Sequence, residues 1–114
     1  VDTKTHKITA TIKPTGENVR PMGIVVSPDG QRVFVSTGRG GTVLAIDAAK
    51  NTVVGSVKVG DRPWGIALSP DGKFLYSANG PSNDVSVVDV ETLTVVGKVT
   101  AGQRPWGIIV APAP

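Results

Sequence analysis

The stretch that decides the fold reads R-P-W-G-I-A-L-S-P-D-G over residues 62–72. The same pattern stands 42 residues earlier as R-P-M-G-I-V-V-S-P-D-G over residues 20–30, and its first part returns 42 residues later as R-P-W-G-I over residues 104–108. Asp47 and Asp89 keep the same spacing. A fixed period of this length is the signature of a repeat protein, so we interpret the chain as copies of one unit.

Each unit contains four short segments with the composition of β-strands. In the best-preserved unit these segments, named strands A to D, are residues 65–69, 74–79, 84–88 and 94–99. The turn residues Pro70, Asp71 and Gly72 separate strands A and B. Strand C carries the pair Val87-Val88, which puts apolar groups on both faces, as in a sheet that is covered on both sides.

A unit of 42 residues with four antiparallel strands has the size of one β-propeller blade. The alternative, a β-sandwich, does not keep a fixed register through three copies. We therefore predict an all-β fold, a β-propeller of which the chain forms about two and a half blades. The predicted parts are a strand D at residues 7–13, complete blades at residues 23–58 and 65–99, and a strand A at residues 107–110.

The repeats resemble the YVTN family of β-propeller proteins over the whole chain. The segments V-F-V-S-T at residues 33–37 and L-Y-S-A-N at residues 75–79 fall at the place that names the family, between S-P-D-G and a V-x-V-V-D-like strand. The tetrapeptide is degenerate in both copies, and Met22 stands where the other units have tryptophan. The motifs are specific for the fold and only weakly specific for function.

The resemblance also implies a setting for the chain. R-P-W-G-I followed by A-P is similar to the C-termini of periplasmic propellers associated with pyrroloquinoline-quinone-dependent alcohol catabolism, and the family includes archaeal surface-layer proteins. Full-length relatives imply a ring of about seven blades, within the usual range of the fold. We expect this chain to be the C-terminal part of such a ring, exported to the periplasm or the cell surface.

A partial ring leaves strand edges and blade faces without partners. We expect these edges to be paired by the remaining blades of the same protein. If the chain occurs alone, we expect an oligomer that is edge-paired or domain-swapped.

The composition argues against several kinds of site. The 12 Lys and Arg are scattered and few aromatic residues accompany them, so nucleic acid is not an expected partner. No apolar run approaches the ~20 residues of a membrane helix, so no membrane insertion is expected. With no cysteine, and with His6 as the single histidine, we predict no metal site, no cofactor and no catalytic residue within this chain.

What the sequence does offer is a surface. Strand direction alternates, so the D-to-A and B-to-C connections lie at the same end of every blade. The candidate residues for a ligand or partner at that end are Arg20, Arg39, Arg62, Arg104, Trp64, Trp106 and Asn83. Arginine and tryptophan are common anchors of interfaces. Arg20, Arg62 and Arg104 occur at the same position of every unit, so a structural role within the blade can also explain them. Arg39 has no equivalent arginine in the second unit and is therefore the feature specific to one unit.

Two interpretations exist for the segment Gly38, Arg39, Gly40 and Gly41: a phosphate-binding nest or a simple B-to-C connection.

For the protein as a whole, the sequence is compatible with two functions. The first is a non-catalytic binding or scaffold propeller that takes a protein or a small anionic ligand on this surface. The second is part of a propeller enzyme or redox-cofactor subunit, lactonase-like or accessory to a quinoprotein dehydrogenase, whose active residues lie in other blades.

Overall fold

The computed structural model describes residues 1–113 and contains two four-stranded antiparallel sheets with strand orders β1-β2-β3-β4 and β5-β6-β7-β8. The first sheet consists of β1 Ile24–Val26, β2 Arg32–Ser36, β3 Thr42–Asp47 and β4 Thr52–Lys58. The second consists of β5 Pro63–Leu68, β6 Phe74–Asn79, β7 Asp84–Asp89 and β8 Thr94–Thr100. A short 3-10 turn, Gly38–Gly40, links β2 and β3. The predicted propeller blades are thereby confirmed.

The repeat is visible in the geometry of the turns. His6, Asn51 and Leu93 occupy equivalent positions of the C-to-D turn, and all three have a left-handed backbone with φ of 57°, 55° and 51°. Both sheets also have a register shift at the same place, between Ala45 and Ile46 and between Val87 and Val88. His6 is therefore a turn residue, equivalent to an asparagine and a leucine.

The structure differs from the sequence prediction at the two ends of the chain. Residues 7–13 and 107–110, predicted as strands, are not assigned to a sheet. A strand requires a ladder of hydrogen bonds to a neighbour, and neither segment makes one within residues 1–113. Both still lie against the blades, since Ile12 lines a groove with Leu44 and Ile108 lines another with Ile66.

The hydrophobic core lies between the two blades. Its buried residues are Phe34, Val43, Ala45, Val57 and Val59 of the first repeat and Ile66, Leu75 and Val88 of the second. Burial of this apolar surface is the main force that holds one blade against the next, at roughly 25 cal/mol per Å².

At the inner side of the first blade, backbone groups of neighbouring blades come very close. A Cβ on Gly23 would lie 2.6 Å from the carbonyl oxygen of Trp64. The Ser36 hydroxyl bridges the two, because it accepts a hydrogen bond from the Gly23 N–H at 2.8 Å and donates one to the Trp64 carbonyl at 2.7 Å. Ser36 is fully buried, so this bridge is closed to water.

The next junction uses a direct bond instead. The Gly65 N–H donates to the Trp106 carbonyl at 3.0 Å, and Ala78 occupies the position that Ser36 has in the first blade. A Cβ on Gly65 would lie 2.7 Å from the Cα of Gly107. Glycine at both positions therefore allows the inner strands of neighbouring units to approach closely.

A buried polar cluster distinguishes the second blade from the first. Asn79 is fully buried, accepts a hydrogen bond from the Ser77 hydroxyl at 2.9 Å and donates to Asp84 at 2.7 Å and to Ser86 at 2.9 Å. Lys98 approaches Asp84 at 3.8 Å and donates to the Val59 carbonyl at 3.2 Å. Every buried side-chain polar atom among the described residues has a partner, as a stable interior requires.

The S-P-D-G turns hold their aspartates in the charged form. In the second turn the Ser69 hydroxyl donates to Asp71 at 2.6 Å and the Lys73 N–H donates to it at 3.0 Å. These bonds, the Ser69 bond first, lower the pKa of Asp71, and the pKa of Asp29 is lowered in the same way. The aspartates at this end of the blades therefore serve the turns.

Substitution of Ser36 tests the hydroxyl bridge. Ser36→Ala is expected to lower the free energy of unfolding by only about 1 kcal/mol, because the second junction works with Ala78 and a direct backbone bond. Ser36→Val is expected to cost about 2–3 kcal/mol, since its extra methyl groups enter a fully packed site. Urea unfolding of both variants measures this difference, and equal losses would contradict the explanation.

Candidate functional site

One end of the two blades carries most of the arginines. We call it the loop face and define it as the connections at residues 14–22, 37–41, 59–62, 80–83 and 101–106. Four of the five arginines of the chain lie in these connections, and Arg32, at the start of β2, lies at the opposite end. The loop face is therefore the more positively charged end of the blades.

Two of these arginines share a cleft. Arg39, from the B-to-C connection of the first blade, and Arg62, at the start of the second blade, line a cleft of about 690 Å³ on the loop face. The other lining residues are Asn18, Gly41, Asp61 and Pro81. We call this feature the arginine cleft. Both arginine side chains are exposed, so they are available to a ligand.

The backbone of Arg62 is unusual. Its φ is 49°, in the left-handed region that favours glycine, and Arg104 has a φ of 50°. A residue with a side chain in that region costs of order 1–3 kcal/mol. Arg62 is held there by its surroundings, since its carbonyl accepts a bond from the Gly80 N–H at 3.4 Å and the following Pro63 is buried.

Arg39 sits on the 3-10 turn that connects β2 and β3. The amides of Gly40 and Gly41 donate to the carbonyls of Thr37 and Gly38, at 3.1 Å and 3.0 Å. These amides are occupied, so they do not form an anion-binding nest. The B-to-C connection is the correct interpretation of this segment, and the charge of Arg39 is what it contributes to the cleft.

The tryptophans have structural partners. A Cβ on Gly80 would lie 2.2 Å from the Trp64 ring, so the ring packs directly on this glycine. The Trp64 and Trp106 rings are in contact, with centroids 4.3 Å apart and an interplanar angle of 37°. Met22 takes the place of Trp64 in the first unit and packs on Gly38 in the same way. Packing explains Trp64, whereas Trp106 stays 67% exposed.

Three other predicted residues lie outside the arginine cleft. The Asn83 side-chain oxygen accepts a hydrogen bond from the Arg104 N–H at 2.9 Å, which gives Asn83 a structural role in that connection. Arg104 and Arg20 are exposed on the loop face but do not line the cleft. The cleft lining also contains Asn18, Asp61 and Pro81, which were not among the candidates predicted from the sequence. Asp61 directly precedes Arg62, and this adjacency is the feature of the sequence from which its place in the cleft could have been predicted.

Within residues 1–113, no group of three or more His, Asp and Glu side chains is placed to hold a metal ion. His6 is exposed and belongs to the C-to-D turn, at the end opposite the loop face. Over the same residues no helix is long and apolar enough to cross a bilayer.

Gly80→Ala tests the structural role of Trp64. The added Cβ is expected to push the ring off its site and away from Trp106, with a loss of about 1–3 kcal/mol in the free energy of unfolding. Gly107→Ala is the control, because nothing lies within 4 Å of the added Cβ. The near-ultraviolet circular dichroism of the two tryptophans reports the change, and identical spectra for both variants would refute this packing role.

The chain was compared with known proteins. The model of the family described as Cytochrome D1 heme domain matches residues 1–107. No curated protein matches the chain. Among solved structures it is similar to Kuenenia stuttgartiensis hydrazine synthase, with 37% sequence identity and a TM-score of 0.82 over 93% of this chain and 30% of that one.

Two further structures show likeness of fold alone. Apo AztD from Citrobacter koseri is 22% identical, with a TM-score of 0.70 over 80% of this chain and 26% of that one. The WD40 repeats of RRP9 are 15% identical, with the same TM-score over 80% of this chain and 29% of that one. The chain spans less than a third of the length of each of these structures. On the match over residues 1–107, it belongs to the Cytochrome D1 heme domain family.

Proposed function

We propose that the chain is the binding segment of a propeller and that its arginine cleft takes an anionic ligand or an acidic side chain of a protein partner. The observation that carries this proposal is that Arg39 and Arg62 reach one cleft from neighbouring blades. Neither forms a salt bridge to a carboxylate of residues 1–113. A guanidinium group presents a planar set of donors that suits carboxylates and phosphates.

The backbone of Arg62 supports the same proposal. Glycine or asparagine would adopt its φ of 49° with less strain, so the arginine is best explained by what its side chain does. Strained backbone positions often occur at ligand sites, where the surrounding structure holds them in place. The equivalent Arg104 has the same conformation, whereas Arg20, the equivalent residue of the first unit, does not have a positive φ.

The name of the family raises the question of a haem. Haem iron is held by an axial ligand such as His, Met, Cys or Tyr. The lining of the arginine cleft contains none of these, and His6 lies exposed at the opposite end of the blades. The arginine cleft therefore does not fit a haem iron, and we assign it no haem chemistry.

Family membership and the likeness to a part of hydrazine synthase support a second candidate function for the protein as a whole. In this candidate the blades belong to a redox-cofactor or enzyme subunit whose reacting groups lie outside residues 1–113. Its test is the absorption spectrum of the full-length protein purified from its native host. A Soret band is expected if the cofactor is a haem, and its absence from freshly purified protein would contradict a haem-bearing subunit.

We also propose that the repeats are of the YVTN type and that the protein is exported, to the periplasm or the cell surface. The S-P-D-G and R-P-x-G-I motifs support the first statement. The family match supports the second. The association with alcohol catabolism through pyrroloquinoline quinone rests on the C-terminal R-P-W-G-I motif.

Binding of propionate, measured by NMR titration, tests the arginine cleft. Arg39→Gln is expected to weaken binding about three- to tenfold, because one charge-assisted contact is lost. Arg62→Gly is expected to weaken binding similarly while the free energy of unfolding stays within about 1 kcal/mol, since relief of the strained φ offsets the flexibility of glycine.

The matched control is Arg32→Gln, which removes one arginine from the opposite end of the blades. It is expected to leave propionate binding nearly unchanged. If Arg32→Gln weakens binding as much as Arg39→Gln, the effect comes from net charge and the cleft is not the site.

A further inference from the structure

The arginine cleft contains an acceptor as well as donors. Asp61 lines it beside Arg62, and the Asp61 N–H donates to the Ser82 hydroxyl at 2.7 Å. This bond ties the residue to the B-to-C connection of its own blade. The Asp61 carboxylate itself makes no hydrogen bond or salt bridge to residues 1–113, so it is free to accept one from a ligand.

The charges of the cleft therefore add up to one excess positive charge, from two guanidinium groups and one carboxylate. Asn18 adds a neutral amide, which both donates and accepts. A ligand with two negative charges and no donor would pair with both arginines but would leave the Asp61 carboxylate without a hydrogen-bond donor. A ligand with one carboxylate and a nearby donor would satisfy all three charged groups.

We propose that, granted the anion-binding function above, the cleft selects a monocarboxylate that carries its own hydrogen-bond donor a few bonds away, as in an α-amino acid or an α-hydroxy acid. Arg39 and Arg62 pair with the carboxylate, and Asp61 accepts the bond from the ammonium or hydroxyl group. The size of the cleft, about 690 Å³, leaves room for the side chain of such a ligand.

Four probes of similar size separate the contribution of a hydrogen-bond donor to the affinity from the contribution of a second negative charge. L-alanine has an ammonium donor, L-lactate a hydroxyl donor and propionate none, while sulfate brings a second negative charge and no donor. With the unchanged protein, NMR titration is expected to show L-alanine or L-lactate binding about threefold more tightly than propionate, the size expected of one exposed polar contact. The tighter of L-alanine and L-lactate identifies the donor as ammonium or hydroxyl.

Asp61→Asn tests the acceptor, and it keeps the backbone bond to Ser82. It is expected to remove the preference over propionate and to raise the affinity for sulfate, because the repelling carboxylate is gone. Glu17→Gln is the matched control, because Glu17 is an exposed carboxylate of the loop face outside the cleft lining. It is expected to leave the ranking of the four probes unchanged.

The outcomes separate this inference from the function on which it rests. If Arg39→Gln weakens all four probes but Asp61→Asn leaves their ranking unchanged, selection by Asp61 is wrong and anion binding by the cleft stands. If Arg39→Gln has no effect on any probe, both are wrong. A shift of the ranking by Glu17→Gln equal to that by Asp61→Asn would also overturn the assignment of Asp61.

Discussion

The close approach of the inner strands of neighbouring blades is the constraint on which the rest of this structure depends. A Cβ on Gly23 or on Gly65 would lie 2.6 Å or 2.7 Å from the backbone of the next unit. Since no side chain fits there, backbone groups of the two units must satisfy one another. This contact sets the spacing at which Phe34 and Leu75 pack into one core.

The two junctions meet this constraint with different chemistry. In one, the Ser36 hydroxyl stands between the N–H of Gly23 and the carbonyl of the next blade, and in the other the N–H of Gly65 bonds directly to the carbonyl. The second blade also has the buried cluster around Asn79, where Thr37 occupies the equivalent position of the first blade. Buried polar groups cost free energy when unpaired, so each junction fits its own neighbour better than another copy. The two blades thus share one fold but contact their neighbours through different hydrogen bonds.

The loop face depends on the same spacing. Its connections contribute little to the core, and they are placed by the rigid sheets that they join, as is common for binding sites. The arginine cleft exists only where two blades stand side by side, because Arg39 belongs to one blade and Arg62 to the next. The strained backbone of Arg62 is held in the same way, by its bond to Gly80 and the buried Pro63.

Much of the fold was predictable from the sequence. The 42-residue period, the S-P-D-G turns and the strand alternation placed the four strands of the second blade within about two residues of their observed bounds, and the first blade at residues 23–58. Residues 7–13 and 107–110 were not predictable in this way, because a strand depends on a partner and not on local sequence alone. For the site, the common face of the loops followed from strand direction, but the packing of Trp64 on Gly80 and the bond from Arg104 to Asn83 did not.

The sequence by itself determined the blade repeat and the face on which the arginines gather, because these follow from periodicity and alternating strand direction. Only the tertiary structure decided that Arg39 and Arg62 share a cleft with Asp61 while Arg20 and Arg104 do not. That choice depends on the distance and angle between two blades, which the close backbone contact at Gly23 sets and which no local pattern encodes.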